Sequence, residues 1–267
     1  MAYENILVET KDGVATLTLN RPQALNSLSK GIVDDIRAGL RQLGADADVK
    51  VLIITGAGRG FCAGADLAAG GWNDGVQRTA GEGISHSMEI GYNPLVRELS
   101  GFPKPVVVAV NGVAAGGGVG LALCGDIVLA AKSAYFVQVF GPRLGLVPDM
   151  GCTWLLPHLL GRARSRALAM LGDRLAATKA AEWGLIWAAV DDAALLDEAR
   201  ALAERLAKGP TNAFREIKHV LDAASSNTLD EQLELERRVQ RGLGETEDFR
   251  EGVMAFLTKR EPLFKGK

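Results

Sequence analysis

The chain of 267 residues holds only three cysteines and three histidines, and neither type gathers. Cys62, Cys124 and Cys152 are odd in number and form no CxxC pair, which suggests neither a disulfide framework nor a zinc site. They read as reduced, small and apolar. His86, His158 and His219 stand alone, without HxxxH spacing or a GxSxG partner, which argues against metal or Ser-His chemistry. Charge of one sign is missing too. With 30 Lys+Arg against 32 Asp+Glu the formal net charge is -2, so no basic field points to nucleic acid or an anionic membrane. No apolar run nears the ~18 residues of a spanning helix. The opening Met-Ala-Tyr-Glu-Asn lacks the basic and apolar regions of a signal peptide, so a cytoplasmic address is expected.

What is plentiful is glycine, 32 of 267 residues, without collagen periodicity or a Gly/Ser linker. Hydrophobic residues make up 48%, enough for a sizeable core. At ~100–200 residues per domain the length implies one large domain, or one with an appendage.

Residues Ile6–Glu9 and Val14–Leu19 read as a hairpin, the second in strict alternation. Ile32, Val33, Ile36, Leu40 and Leu43 recur at helical spacing, with Ser29 or Ser27 as the cap and Gly44 as the stop. Val51–Thr55 is an all-apolar strand that enters the glycine-rich loop 56–67. Val106–Val110 repeats the arrangement, followed by a second glycine loop at 111–118. Strand, glycine loop and helix are thus expected twice, with polar, glycine-punctuated sequence from the first loop to about Asn93. A strand follows at Ile127–Ala130, then an irregular segment over Phe136–Asp149. Beyond Gly151 the pattern is helical apart from a strand at Ile186–Val190, with runs at 162–171, 178–183, 193–208, 211–223, 229–243 and 248–259. This describes an α/β domain over residues 1–207 and a helical C-terminal region over 208–267.

Glycine loops let backbone N–H groups approach an anion, either a phosphate or a developing oxyanion. They also serve as plain tight turns, and the residues alone leave both readings open. The dinucleotide fingerprint fails, because after Gly56, Gly58 and Gly60 the sixth position of G-x-G-x-x-G is Phe61. The Lys-Ser/Thr of a P-loop is absent as well.

Four stretches occur in order: Gly58-Arg-Gly-Phe-Cys-Ala-Gly-Ala-Asp-Leu67, Pro105 through Gly118, Cys124-Gly-Asp-Ile127 and Ala255-Phe-Leu-Thr-Lys-Arg260. Together with Leu19-Asn-Arg-Pro-Gln-Ala-Leu-Asn26 they resemble the crotonase, or enoyl-CoA hydratase/isomerase, superfamily over essentially the whole chain. The resemblance implies a spiral of repeated β-β-α units, a helical C-terminal trimerisation region giving a homotrimer or homohexamer, and an acyl-CoA thioester as substrate. It implies no metal or redox cofactor, no nucleic acid and no membrane. By position, the backbone N–H groups of Ala65 and Gly117 would form an oxyanion hole. Ala24, Ala63, Asp66, Leu67 and Gly116 would line coenzyme A, and Phe256 and Lys259 would reach a neighbouring subunit's nucleotide. Lys259 reads equally as a solvated lysine at a helix end.

Hydratases of this superfamily place one glutamate just after the second glycine loop and another about twenty residues on. Here the first position is Gly120, the second falls near Gly141-Pro142, and no carboxylate lies between Asp126 and Asp149. Asp149 is the remaining acid. It has two readings, an N-cap for the following helix or a desolvated base. The resemblance to the isomerase branch, carried by residues 144–157, 182–187 and 250–256, assigns it as the single base of an acyl-CoA isomerase. A hydratase, or a CoA-binding or RNA-associated protein without activity, are the competing readings. Gly141-Pro142 is expected to reshape the acyl-pocket wall beside Asp149, and residues 70–91 are expected to cover that pocket, with no conformation legible in their sequence.

Overall fold

The computed structural model describes residues 3–67, 72 and 75–267. Strands β1 (Ile6–Lys11) and β2 (Val14–Leu19) form an antiparallel hairpin about Asp12 and Gly13, both at positive φ as a two-residue turn requires. Helix α1 (Lys30–Ala45) buries Ile32, Val33, Ile36, Leu40 and Leu43, and it packs on the hairpin through this stripe. Ser29 is its N-cap through the backbone alone, its carbonyl accepting from Val33 N. Ser27 is held elsewhere, because Arg21 Nη1 donates to its carbonyl at 2.7 Å.

From here a unit of long strand, short strand and helix recurs. The first is β3 (Val51–Gly56), β4 (Gly60–Cys62) and the helices α2 (Ala80–Ser87) and α3 (Asn93–Ser100). The second is β5 (Val106–Val110), β6 (Val113–Ala115) and α4 (Gly117–Leu123). The third is β7 (Ile127–Ala131), β8 (Tyr135–Val137) and α5 (Cys152–Leu171). With β9 (Leu175–Ala176) and β10 (Ala188–Val190), the long strands make a six-stranded sheet β1-β2-β3-β5-β7-β10 and the short ones a four-stranded sheet β4-β6-β8-β9. The wholly buried runs of β3 and β5 pair in parallel, as strands covered on both faces must. Each unit adds one strand to each sheet, which is the expected β-β-α spiral. Helices α6 (Ala177–Glu182), α7 (Leu195–Ala207), α8 (Thr211–Ala223), α9 (Leu229–Gly244) and α10 (Glu247–Thr258) complete the chain. α7 packs on β3 and β5, while Lys218 of α8 ties the last helices to the core by an ion pair with Asp126 at 2.9 Å. Among the described residues, no helix is long and apolar enough to cross a membrane.

Two local expectations change. The glycine loops are not simple loops, because each contains a three-residue strand, and β4 pairs with β6 in parallel. Residues 68–71, 73 and 74, which follow the first loop, lie outside the described residues, and the next described α-helix is α2. Of residues 70–91, whose conformation the sequence leaves open, the described part holds α2 and most of a π-helical turn at Met88–Tyr92, with α3 following at Asn93, whereas Gly70 and Gly71 lie outside the described residues. Gly81 and Gly83 mask α2, yet Thr79 and Glu82 form a reciprocal capping box. The segment 136–149 contains β8 and a second π-helical turn at Phe140–Leu144.

Candidate active site

The residues Asn-Arg-Pro-Gln-Ala-Leu-Asn of the first motif fold back on the first glycine loop. Asn26 Nδ2 donates to the carbonyls of Ala57 at 3.0 Å and Gly60 at 2.9 Å, and its Oδ1 accepts from Arg21 N at 2.8 Å. From the second loop Asn111 Nδ2 donates to Gly58 O at 2.9 Å. These amides sit within the quoted motifs, but their bracing role joins residues more than thirty positions apart. Leu28 continues the frame: its N–H donates to Gly64 O at 2.7 Å and its carbonyl accepts from Asp66 N at 3.3 Å, giving a parallel bridge to Ala65.

In such a bridge the N–H of Ala65 itself points away from Leu28. Among the described residues it has no backbone acceptor. Gly117 opens α4, where a backbone N–H has no acceptor within the helix. The two strand ends meet closely. Gly64 has φ +86, and a Cβ there would lie 2.7 Å from Ala115 O and 3.2 Å from Gly117 N, so only glycine fits. Two N–H groups with no backbone acceptor among the described residues thus come from adjacent backbones, an arrangement suited to one shared oxygen.

Asp149 stands beside them. A carbon added to Gly117 would lie 3.4 Å from Asp149 Oδ1 and 3.6 Å from Leu28 Cδ1. Asp149 does not cap α5, whose N-cap is Gly151 with no side-chain bond. The backbone carbonyl of Asp149, not its carboxylate, accepts from Cys152 N at 2.9 Å. Oδ1 is buried with no hydrogen-bond partner. Burial pushes the carboxyl up to about 6. The turn that presents it is strained, because Met150, fully buried, holds φ +50 before Gly151 at φ +77. Gly120 makes that turn possible. A Cβ at 120 would collide with the carbonyl oxygen and Cβ of Met150, so the space beside Gly120 is filled by the backbone that carries Asp149.

Ala24 and Ala63 are brought together, since Ala63 N donates to Leu25 O at 2.9 Å, and both border the Ala65 loop. Asp66 pairs with Arg21 Nη1 at 2.9 Å, a partner 45 positions away that no local pattern announces. Leu67 projects outward, 68% exposed, at the edge of the described segment. Gly116 lies under the Phe140 ring, 3.4 Å from a carbon added to it. Phe140 therefore lines this side. Gly141-Pro142 does not, because Gly141 faces Ala169 O and Pro142 faces Gly172, both at the far end of α5. Phe256 and Lys259 are not drawn into this cluster. They sit on α10 and its C-cap, Phe256 84% exposed and Lys259 at φ +53. The three cysteines are buried and free, with the Cys62 and Cys152 thiols pushed up to about 12 by burial.

Residues 9–267 match the family model described as enoyl-CoA hydratase/isomerase. The chain is 52% identical, over 99% of both chains, to an Escherichia coli K12 protein named 1,2-epoxyphenylacetyl-CoA isomerase. It is 42% identical to a probable enoyl-CoA hydratase of Rhodobacter capsulatus over the full length of each. The solved enoyl-CoA hydratase of Bacillus anthracis superposes with a TM-score of 0.91 at 33% identity, over 99% of this chain and 100% of that one. Matches that span whole chains, on a fold with this spiral and this pair of loops, establish that the chain belongs to the enoyl-CoA hydratase/isomerase family.

Proposed function

We propose that this family member is an acyl-CoA isomerase working through an enolate. The thioester carbonyl oxygen sits between the N–H groups of Ala65 and Gly117, and the Asp149 carboxylate removes the C2 proton. As that C–H bond breaks, its electron pair moves into the carbonyl and the oxygen takes up negative charge. Two preorganised donors, each worth roughly 10²–10³ in rate, lower that barrier. For a 3-enoyl-CoA the same carboxylic acid then returns its proton to C4, moving the double bond to C2. One base suffices because both carbons lie on one face of a planar dienolate. The step is redox-neutral, so no cofactor takes part beyond the CoA of the substrate.

The observation that carries the proposal is the unpartnered, buried Oδ1 of Asp149 beside Gly117, with the alternative carboxylate position occupied by Met150. A base must be desolvated yet unpaired to bind a proton near neutral pH. The similarity to the Escherichia coli isomerase supports a ring-derived thioester as substrate, the epoxide of phenylacetyl-CoA, which presents the same C2–H next to the same carbonyl. Ala24, Ala63, Asp66, Leu67 and Gly116 border the path for CoA. Phe256 and Lys259, remote within one chain, fit a role across a subunit boundary, with residues 208–267 as the contact region of a homotrimer or a dimer of trimers. Light scattering is expected to give a multiple of three chains; a monomer contradicts that part.

The test uses Asp149→Asn with 3-hexenoyl-CoA and with the ring-epoxide thioester. Isomerisation is expected to fall by about 10³ on whichever substrate the wild type accepts. Near-wild-type turnover by the variant overturns the assignment. Rapid hydration of crotonyl-CoA by the wild type would favour the hydratase reading.

A further inference from the structure

Tyr92 belongs to none of the motifs and is the side chain best placed to hold the two N–H groups in register. It ends the π-helical turn Met88–Tyr92 between α2 and α3, and the extra residue of such a turn re-aims the side chains around it. Its ring is buried, with Trp72 edge-on at 5.1 Å. Its hydroxyl donates to Leu28 O at 3.0 Å, a fully buried bond spanning 64 positions.

Leu28 touches both halves of the donor pair. Its backbone bridges Ala65, through Gly64 O and Asp66 N, and its Cδ1 lies 3.6 Å from a carbon added to Gly117. The Asp66 N–H bond to the Leu28 carbonyl is long, 3.3 Å, so the Tyr92 hydroxyl at 3.0 Å is the shorter of its two donors. A rotation of the Leu28 peptide would turn the Ala65 peptide with it.

We propose that Tyr92 is a positioning residue for the oxyanion hole, its hydroxyl fixing the Leu28 carbonyl and thereby the direction of the Ala65 N–H. Burial, with a contribution from the Asp149 charge, raises the phenol to about 12, so the donor proton stays in place throughout the working range. The inference rests on the reading of Ala65 and Gly117 as oxyanion donors, and its test separates the two.

The probe is cinnamoyl-CoA, whose absorbance moves to the red when hydrogen bonds polarise its carbonyl. Wild type is expected to shift it. Asp149→Asn is expected to keep the shift while losing turnover, because the donors are intact. Tyr92→Phe, which preserves the ring and its packing, is expected to lose at least half of the shift and about tenfold in kcat with KM within twofold, consistent with the steep dependence of rate on donor placement. A full shift and kcat within twofold in Tyr92→Phe overturns the positioning role. Weakened binding with a full shift also overturns it, making Tyr92 a packing residue. No shift in the wild type overturns the oxyanion reading itself.

Discussion

Asp66 and Asp149 flank the same pair of backbone N–H groups, and their surroundings are opposite. Asp66 pairs with the Arg21 guanidinium at 2.9 Å, and that guanidinium also takes the Ser27 carbonyl, so the pair locks the first glycine loop to the turn at Pro22–Ala24. Among the described residues Asp149 forms no ion pair, and its buried Oδ1 has no hydrogen-bond partner. A paired carboxylate is stabilised as an anion and is a poor base; an unpaired buried one is destabilised and binds protons readily. On the proposed reading the two acids divide the labour, one holding the donors in place and the other moving the proton.

The comparison can be broken at the backbone that separates them. Gly120→Glu would put a carboxylate where a hydratase has one, but its Cβ would collide with Met150. It is expected to displace Asp149 and lower isomerase kcat/KM by about 10² or more, without producing hydration of crotonyl-CoA. Hydratase activity in that variant would show that the Met150 turn yields freely.

Asp149→Asn sharpens the comparison through stability. The folded-state value of about 6, against 3.8 ordinarily, means the native protein holds this proton more tightly than the unfolded chain. Stability is thus lost as pH rises from about 4 to about 6, and the full cost, about 2–3 kcal/mol, persists above that. Asparagine removes the cost. Urea unfolding is expected to show the variant more stable at pH 7 and equal to wild type below about pH 4. The same ionisation gives wild-type kcat/KM an acid limb near pH 6.

Asp66→Asn is expected to act in the other direction and less strongly. Arg21 loses its counter-charge but keeps Ser27 O, so the protein loses about 1–2 kcal/mol and activity drops several-fold. Equal stability changes in the two asparagine variants would erase the distinction between them.

Much of the frame can be read from the sequence because it is local. The five apolar residues of α1 share one buried face, and Val106–Val110 is buried along its whole length. Elements of three residues, such as β4 and β6, are too short to show a period, and they hide inside loops rich in glycine. α2 carries a start signal in Thr79 and Glu82, but Gly81 and Gly83 leave it no apolar helical period to read. The candidate site divides the same way. Ala65, Gly117 and Asp149 stand out through motifs and through the absence of other acids. What distinguishes a base from a helix cap at 149 is the left-handed turn at Met150, which no composition reports. The Arg21–Asp66 and Tyr92–Leu28 contacts span 45 and 64 positions and exist only once the spiral closes.

The central claim is that Asp149 and the two N–H groups make an enolate. It is tested most directly by exchange of the C2 protons of phenylacetyl-CoA in D₂O, followed by NMR, which needs no double-bond shift. Wild type is expected to catalyse exchange, and Asp149→Asn, folded and still binding the thioester, is expected to be slower by about 10³. Exchange at the wild-type rate in the variant would contradict the account.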